Sequence, residues 1–290
     1  MGGAQCVFAP YDIPNVLIDG FDVVVNKPKT AAYRAPGSTH AAFATESVVN
    51  ELAEKLGMDP LEFRMVNAAK EGTRRADGVM NGRIGAEEVM RAVKEHPHYQ
   101  ASVEPAAGKL RGRGVGMGFC RNNSGMSCVV ANVQANGTVS LVEGSVDIGG
   151  TRVAVAQMFA EVLSLPVEDV MPQVADTDTI GYTSNTAGSG VTFKSGWAVF
   201  EAANDVKRQL VERAARVWGV PEQEIEYGEG MLQHSADTEL KLTFKEMAEM
   251  MPDTGGPVVG RANLNPGGPS GSYSANIVDV EVDPETGKVS

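Results

Sequence analysis

Two short stretches of this 290-residue sequence place small residues, hydroxyls and glycines directly in front of a helical pattern. In DIGGTRVAVAQ, Gly149, Gly150 and Thr151 follow an alternating apolar run. In SNTAGSGVTF, Thr186, Ala187, Gly188, Ser189 and Gly190 lead into a long amphipathic segment. Glycine lets backbone approach a ligand closely. The free N–H groups of a helix start favour an anion. The hydroxyls of Thr151, Thr186 and Ser189 add donors. Together these features suit a polar, phosphorylated ligand. Neither stretch matches GxGxxG or the phosphate-loop pattern, so the ordinary nucleotide fingerprints are absent. Each stretch alone also reads as a capped tight turn. A third loop, AYRAPGST, sets Arg34 among small or rigid residues before a helix start. Beside an anion site Arg34 offers a bidentate fork; alone it is a surface charge.

Other chemistry is thin. His96 and His98 flank Pro97 without a partner cluster, and His40 and His234 are isolated. DTDT at 176–179 is half a calcium loop without its glycine or final glutamate, and turn capping explains it. Cys6, Cys120 and Cys128 lack metal-ligand spacing and are odd in number, which points to reduced thiols in the cytoplasm. No Ser-His-Asp or Cys-His arrangement stands out.

The elements that must position these loops follow from periodicity. Residues 1–37 read as short extended pieces, with NVLIDGFDVVVNKP alternating. A helix capped by Ser38 or Thr39 runs to about Leu56, with Val48, Val49, Leu52, Ala53 and Leu56 on one face. Asp59 caps a shorter helix with Pro60 in its first turn. Residues 85–95 form a short acidic helix and 96–105 a linker. CVVANVQANGTVSLVEG is a hairpin about Asn136-Gly137. A helix from Thr151 to Pro166, an extended piece and a long helix ended by Gly219 come next. Val199, Ala203, Val206, Leu210, Ala214 and Val217 line one side of that long helix. Then come a turn and strand, a helix capped by Thr243, and a long loop, GGPVVGRANLNPGGPSGS. NIVDVEVDPETGKVS is a strand, a turn and the first residues of a returning strand. An unpaired edge is avoided in folded proteins, so the chain is expected to be a piece of a longer polypeptide.

Composition is that of a globular α+β protein: 42% hydrophobic and 21% charged. A net charge of -12 argues against nucleic-acid binding. No apolar run is long enough for a membrane span, and the N-terminus lacks a signal-peptide pattern.

Taken in series, the three loops resemble the molybdenum-cofactor subunit of the xanthine dehydrogenase and aldehyde oxidase family of molybdenum hydroxylases. AYRAPGSTHAAFATESVVNELAEKLGMDPLEFRMVNAAKEGT is similar to that family's active-site Arg loop and its G-M-x-P-x-E-x-R-x-x-N helix. NGTVSLVEGSVDIGGTR is similar to the strand entering the pterin turn. ADTDTIGYTSNTAGSGVTFKSGWAVFEAA is similar to the Thr-Ala-x-Ser cofactor loop. The resemblance implies mixed β-sheets packed with helices, a partial cofactor-binding domain. Residues 1–95 would be the end of one molybdopterin-binding subdomain and 106–290 most of a second. It implies a bound molybdopterin, as the cytosine dinucleotide, carrying molybdenum. It also implies hydroxylation of an aldehyde or aromatic N-heterocycle with oxygen from water. Electrons would leave through iron–sulfur clusters and FAD on partner subunits or domains, since this chain lacks the cysteine sets.

Matched residue by residue, Arg34 falls on the active-site Arg, and Gly149, Gly150 and Thr151 on the pterin turn. Thr186, Ala187, Gly188, Ser189 and Gly190 fall on the loop that holds pterin and phosphates. Phe119 falls where a substrate-stacking ring stands. Three departures are visible. The middle Gln of the pterin turn is absent. No aromatic stands near Pro36, which argues against a purine substrate. Ala35 occupies the place of the copper-binding Cys of carbon monoxide-oxidising members. The general-base Glu follows a late Gly-x-Gly-Glu motif, expected beyond Ser290, so the chain alone is expected to be inactive, with no metal ligand of its own. A non-catalytic binding or assembly module that keeps the fold is the alternative.

Overall fold

The computed structural model describes residues 2–28, 33–268 and 271–290. It is α+β, as expected, and divides into two compact units, Met1–Asn122 with Ser270–Ser290, and Asn123–Pro269.

The first unit holds helices α1 (Gly2–Cys6), α2 (Ser38–Leu56), α3 (Pro60–Val66), α4 (Ala86–Glu95) and α5 (Pro97–Gln100). Its ribbon pairs β1 (Leu110–Cys120) with the chain's last strand, β9 (Ser272–Val282). The two run antiparallel along their full length, Leu110 opposite Val282 and Cys120 opposite Ser272. This corrects one expectation. β9 is not an unpaired edge, because β1 covers one side of it and the returning residues bridge at Val282 and Val289. The first compact unit is closed by a strand far away in sequence, because β1 hydrogen-bonds to β9. Glycines at 112, 114, 116 and 118 hid β1 from a reading by residue preference. Its other face buries Val115, Met117 and Phe119, the first two in a core with Leu61 and Met90.

The Asp59 cap is present: its Oδ1 accepts from the Leu61 and Glu62 N–H groups, both at 2.9 Å. The cap of α2 is not Ser38 but Gly37, left-handed at φ 78°. Ser38 instead donates its hydroxyl to the Phe119 carbonyl. The buried stripe of α2 is Ala41, Thr45, Glu46, Val49 and Ala53, while Val48, Leu52 and Leu56 are exposed. What turns the helix this way is a buried ion pair. Glu46 Oε2 accepts from Arg64 Nε at 2.8 Å and from the Met117 N–H at 2.7 Å, and its Oε1 accepts from the Tyr11 hydroxyl at 2.6 Å. The N-terminal segment is also corrected. Residues 2–6 are helical, and the alternating stretch forms no strand, leaving Leu17, Phe21 and Val24 exposed.

Across the ribbon Arg113 faces Asp279, donating from Nε at 2.7 Å and from its terminal nitrogen at 2.9 Å. That fork holds the Asp279 carboxyl at about 2, below the ordinary 3.8. A carboxyl lowered in the folded state adds stability above its unfolded value and loses it as pH falls through its folded one. Urea midpoints of the chain should therefore fall between pH 4 and 2. Asp279→Asn should flatten that slope; an unchanged slope would remove Asp279 from the account.

The second unit is built on the sheet order β4-β3-β2-β8, from β2 (Ser127–Val133), β3 (Val139–Glu143), β4 (Val170–Val174) and β8 (Val259–Leu264). The Asn136-Gly137 hairpin joins β2 to β3, and α6 (Thr151–Leu163) crosses over from β3 to the parallel β4. The long helix α7 (Val191–Trp218) lays Ala198, Val199, Ala202, Ala203, Val206, Leu210 and Ala214 into the core. Of the expected stripe only Val217 stays partly exposed, at 39%. A small meander, β5 (Ile225–Gly228), β6 (Met231–His234) and β7 (Lys241–Thr243), precedes α8 (Phe244–Glu249), which the predicted Thr243 caps with Glu246 in a capping box. The expected long loop contains β8. Glycine is required at position 260, because a Cβ would meet the Ala202 carbonyl and, at 2.6 Å, the Val206 side chain. Pro269 and Ser270 at the end of that loop lie outside the described residues.

Candidate functional site

Both glycine stretches fall at the entry to a helix in the second unit. Gly149 (φ 61°) and Gly150 (φ 79°) are left-handed, and Gly150 caps α6 without a side-chain hydrogen bond. Open space lies in front of both, where a side chain would stand. Thr151 is buried and donates its hydroxyl to the Ile148 carbonyl at 2.6 Å, so it closes the turn rather than facing outward. Asp147 also changes the character of this turn. Its Oδ1 accepts from the Arg152 N–H at 3.2 Å and its Oδ2 from Arg152 Nε at 3.0 Å. These bonds hold the Asp147 carboxyl below its usual range. The start of α6 already carries the Asp147 carboxylate, which sets this turn apart from the second stretch. Backbone approach remains open at Gly149 and Gly150.

The second stretch keeps its anion geometry. Gly188 (φ 63°) and Ser189 (φ 57°) are left-handed and exposed, Ala187 is exposed and Thr186 half-buried. Gly190 caps α7 without a side-chain hydrogen bond of its own. The loop is held from behind. Asn123 N–H donates to the Gly188 carbonyl at 2.8 Å, and a Cβ on Gly190 would collide with the Asn123 carbonyl. Ser184 accepts from the Met126 N–H at 2.8 Å and donates its own N–H to the Met126 carbonyl at 2.9 Å. Lys194, buried at 1% exposure, donates its ammonium to the Ser184 and Asn185 carbonyls at 2.5 and 2.9 Å. Burial pulls that ammonium below its usual range, against the pull of Glu143.

Residues flanking the two stretches meet inside this unit. Gly144 lies so close to Thr183 that a Cβ would overlap its hydroxyl, and the buried Ser145 and Ser195 hydroxyls are 3.0 Å apart. Lys194, Glu143, Ser195 and Asn123 were not singled out from sequence. Two of them left a signal. Lys194 is in step with Ala198, Ala202 and Val206 on the apolar stripe of α7, and Glu143 is in step with Val139 and Leu141 on the inward face of β3. A charge in phase with a buried stripe needs partners.

Arg34 belongs to the first unit and is exposed, one residue before the left-handed Ala35 (φ 56°). Residues 29–32, including the start of its loop, lie outside the described residues. Phe119 is 5% exposed: Tyr273 packs on its ring at 5.2 Å and the Arg75 guanidinium lies 5.4 Å from its centre. Gly271 also leaves room for that ring alone. The stacking role expected of Phe119 finds no open face within this unit. Among the described residues no group of His, Cys, Asp or Glu is disposed to hold a metal ion. His98 pairs with Asp279 at 3.3 Å, and His234 with Glu224 at 3.0 Å. No helix among the described residues is long and apolar enough to cross a membrane.

A mixed sheet with two glycine-entered helices, braced from behind and lined outward by backbone, defines a cofactor-binding domain. The chain belongs to the molybdopterin cofactor-binding domain family: one model of that description matches residues 91–290 and a second matches 1–68. It is 28% identical over 302 aligned positions to a probable xanthine dehydrogenase subunit of Bacillus subtilis, covering 97% of this chain and 39% of that protein. It is 31% identical over 205 to the xanthine dehydrogenase molybdenum-binding subunit of Escherichia coli, covering 66% of this chain and 27% of that protein. The fold matches quinoline 2-oxidoreductase from Pseudomonas putida with a TM-score of 0.85 at 18% identity, over 99% of this chain and 40% of that one. The chain thus spans well under half the length of these relatives.

Proposed function

We propose that this chain forms part of the molybdopterin-binding subunit of a molybdenum hydroxylase, an oxidoreductase acting on an aldehyde or an aromatic N-heterocycle. The observation that carries this reading is the α7 entry, a loop whose Ala187, Gly188 and Ser189 are exposed and which Asn123 and Lys194 brace from behind, in the same unit as the open Gly149-Gly150 turn. In this reading Gly149, Gly150 and Thr151 hold the cofactor through backbone. Thr186, Ala187, Gly188, Ser189 and Gly190 hold its pterin and phosphates, and the resemblance assigns Arg34 as the active-site Arg. When bound, the cofactor supplies two-electron oxidation of an electron-poor carbon with oxygen from water. The chain's own part is to bind and orient it; no residue here is assigned as general base. The cytosine dinucleotide form, iron–sulfur and FAD partners, a cytoplasmic location and the two subdomains 1–95 and 106–290 belong to the same reading, as does inactivity of this chain alone.

Metal and pterin analysis of the full-length gene product tests it. The expected result is about one molybdenum per chain with a released pterin cytosine dinucleotide, the cofactor being bound as a single group. One observation favours a second reading, a non-catalytic module: the Asp147 carboxylate on the α6 start turns an anion away there. A folded product free of molybdenum and pterin would select that reading, and turnover by this chain alone would overturn the inactivity.

A further inference from the structure

We propose that Glu143 is a positioning residue that holds the 145–150 turn and the 184–190 loop in one register, through the Ser145–Ser195 hydroxyl pair and the neighbouring Lys194. The inference rests on the proposed cofactor site, because those two segments are its walls.

Glu143 ends β3 at an inward position and is fully buried. Its Oε2 accepts a long hydrogen bond from the Ser145 N–H, at 3.4 Å, and its Oε1 has no hydrogen-bond partner among the described residues. Burial raises its carboxyl above the usual range, while Ser195, the Ser145 N–H and Lys194 draw it back. Each of these neighbours belongs to one wall or the other. Ser145 lies on the path from β3 to Gly149. Lys194 and Ser195 sit in the opening turns of α7, directly after Gly190, and the Lys194 ammonium reaches back to the Ser184 and Asn185 carbonyls. Glu143 is therefore the common neighbour of both walls.

A buried polar cluster of this kind is a poor source of stability, since apolar side chains of the same volume often hold a fold as well or better. What an apolar set lacks is direction. Hydrogen bonds and buried charges fix the angle and spacing of the backbone they tie. Two separate turns that must touch one ligand need that spacing, because a small misplacement of a binding group is costly.

The test uses the full-length protein, its Glu143→Gln variant and its Ser195→Ala variant. Amide hydrogen exchange is read in peptides covering 145–150 and 184–190, alongside bound molybdenum and the urea unfolding midpoint. Either variant is expected to speed exchange about tenfold in both segments together, with the midpoint unchanged and bound molybdenum reduced. Faster exchange in one segment only, or a uniform rise that follows a lowered midpoint, overturns the proposal. Should Glu143→Gln fail to fold, Ser195→Ala carries the same comparison. If both segments loosen together in a protein that never held molybdenum, the register role stands and the cofactor reading falls.

Discussion

Replacing Arg64 with methionine should lower the unfolding free energy by about 3–5 kcal/mol, the cost of leaving a buried charge without its partner. Arg64 has no exposed surface, and its guanidinium also donates to the Pro60 carbonyl at 2.8 Å. Without it Glu46 keeps the Tyr11 hydroxyl and the Met117 N–H but faces them from inside the core without a countercharge. Urea unfolding of the chain measures the loss. The paired variant, Glu46→Leu with Arg64→Met, should recover part of it, because removing both charges removes the unpaired one. Recovery will be incomplete, since Tyr11 and Met117 then lose their acceptor, at about 1–3 kcal/mol for each buried group left unsatisfied. A single variant costing less than about 1 kcal/mol, the range of exposed ion pairs, would show that the pair is solvated.

The second large effect is expected at Gly190. A Cβ there would press on the Asn123 backbone carbonyl, which has no flexible end to move aside. The Asn123 N–H to Gly188 carbonyl bond is made by the same pair of segments, so the loop must part where it is held. Gly190→Ala should cost about 1–3 kcal/mol from overpacking. Under the proposed function it should also lower cofactor retention by on the order of tenfold, the equivalent of about 1.4 kcal/mol. Gly149→Ala provides the contrast. Nothing lies within contact of a Cβ at that position, and the left-handed φ of 61° adds modest strain. It should lower the unfolding free energy by about 1–2 kcal/mol, the cost of an L side chain in the left-handed region, and reduce retention by filling the space in front of the turn. Equal retention in Gly149→Ala and the parent would remove that turn from the site.

Local chemistry made several elements legible. Asp59 with Pro60, Thr243 with Glu246, Gly57 and Gly219 each mark a helix end through a cap or a left-handed glycine, and the helices stop and start at those residues. Asn136-Gly137 marked its hairpin for the same reason. The glycine stretches were legible as helix entries because small residues before an apolar period have few other uses. Partners distant in sequence decided the rest. β1 is a strand because β9 pairs with it, although its outward positions are glycines that prefer no strand. β8 is a strand because β2 pairs with it and α7 passes over Gly260. The exposed face of α2 followed from Glu46 reaching Arg64 and Tyr11, not from the count of apolar side chains.

By itself, then, the sequence determined where most helices begin and end, the α+β class, and which two turns could face a polar cofactor. Caps, turns and periodicity act over a few residues, and the side chains that set them are neighbours in the chain. Only the tertiary structure decided that Thr151 turns inward, that Asp147 occupies the start of α6, that Phe119 is enclosed, that Lys194 braces the 184–190 loop, and that Glu143 is buried at the end of β3. Those outcomes depend on what a buried charge or hydroxyl finds within hydrogen-bonding reach, and the partner it finds is brought there by the fold.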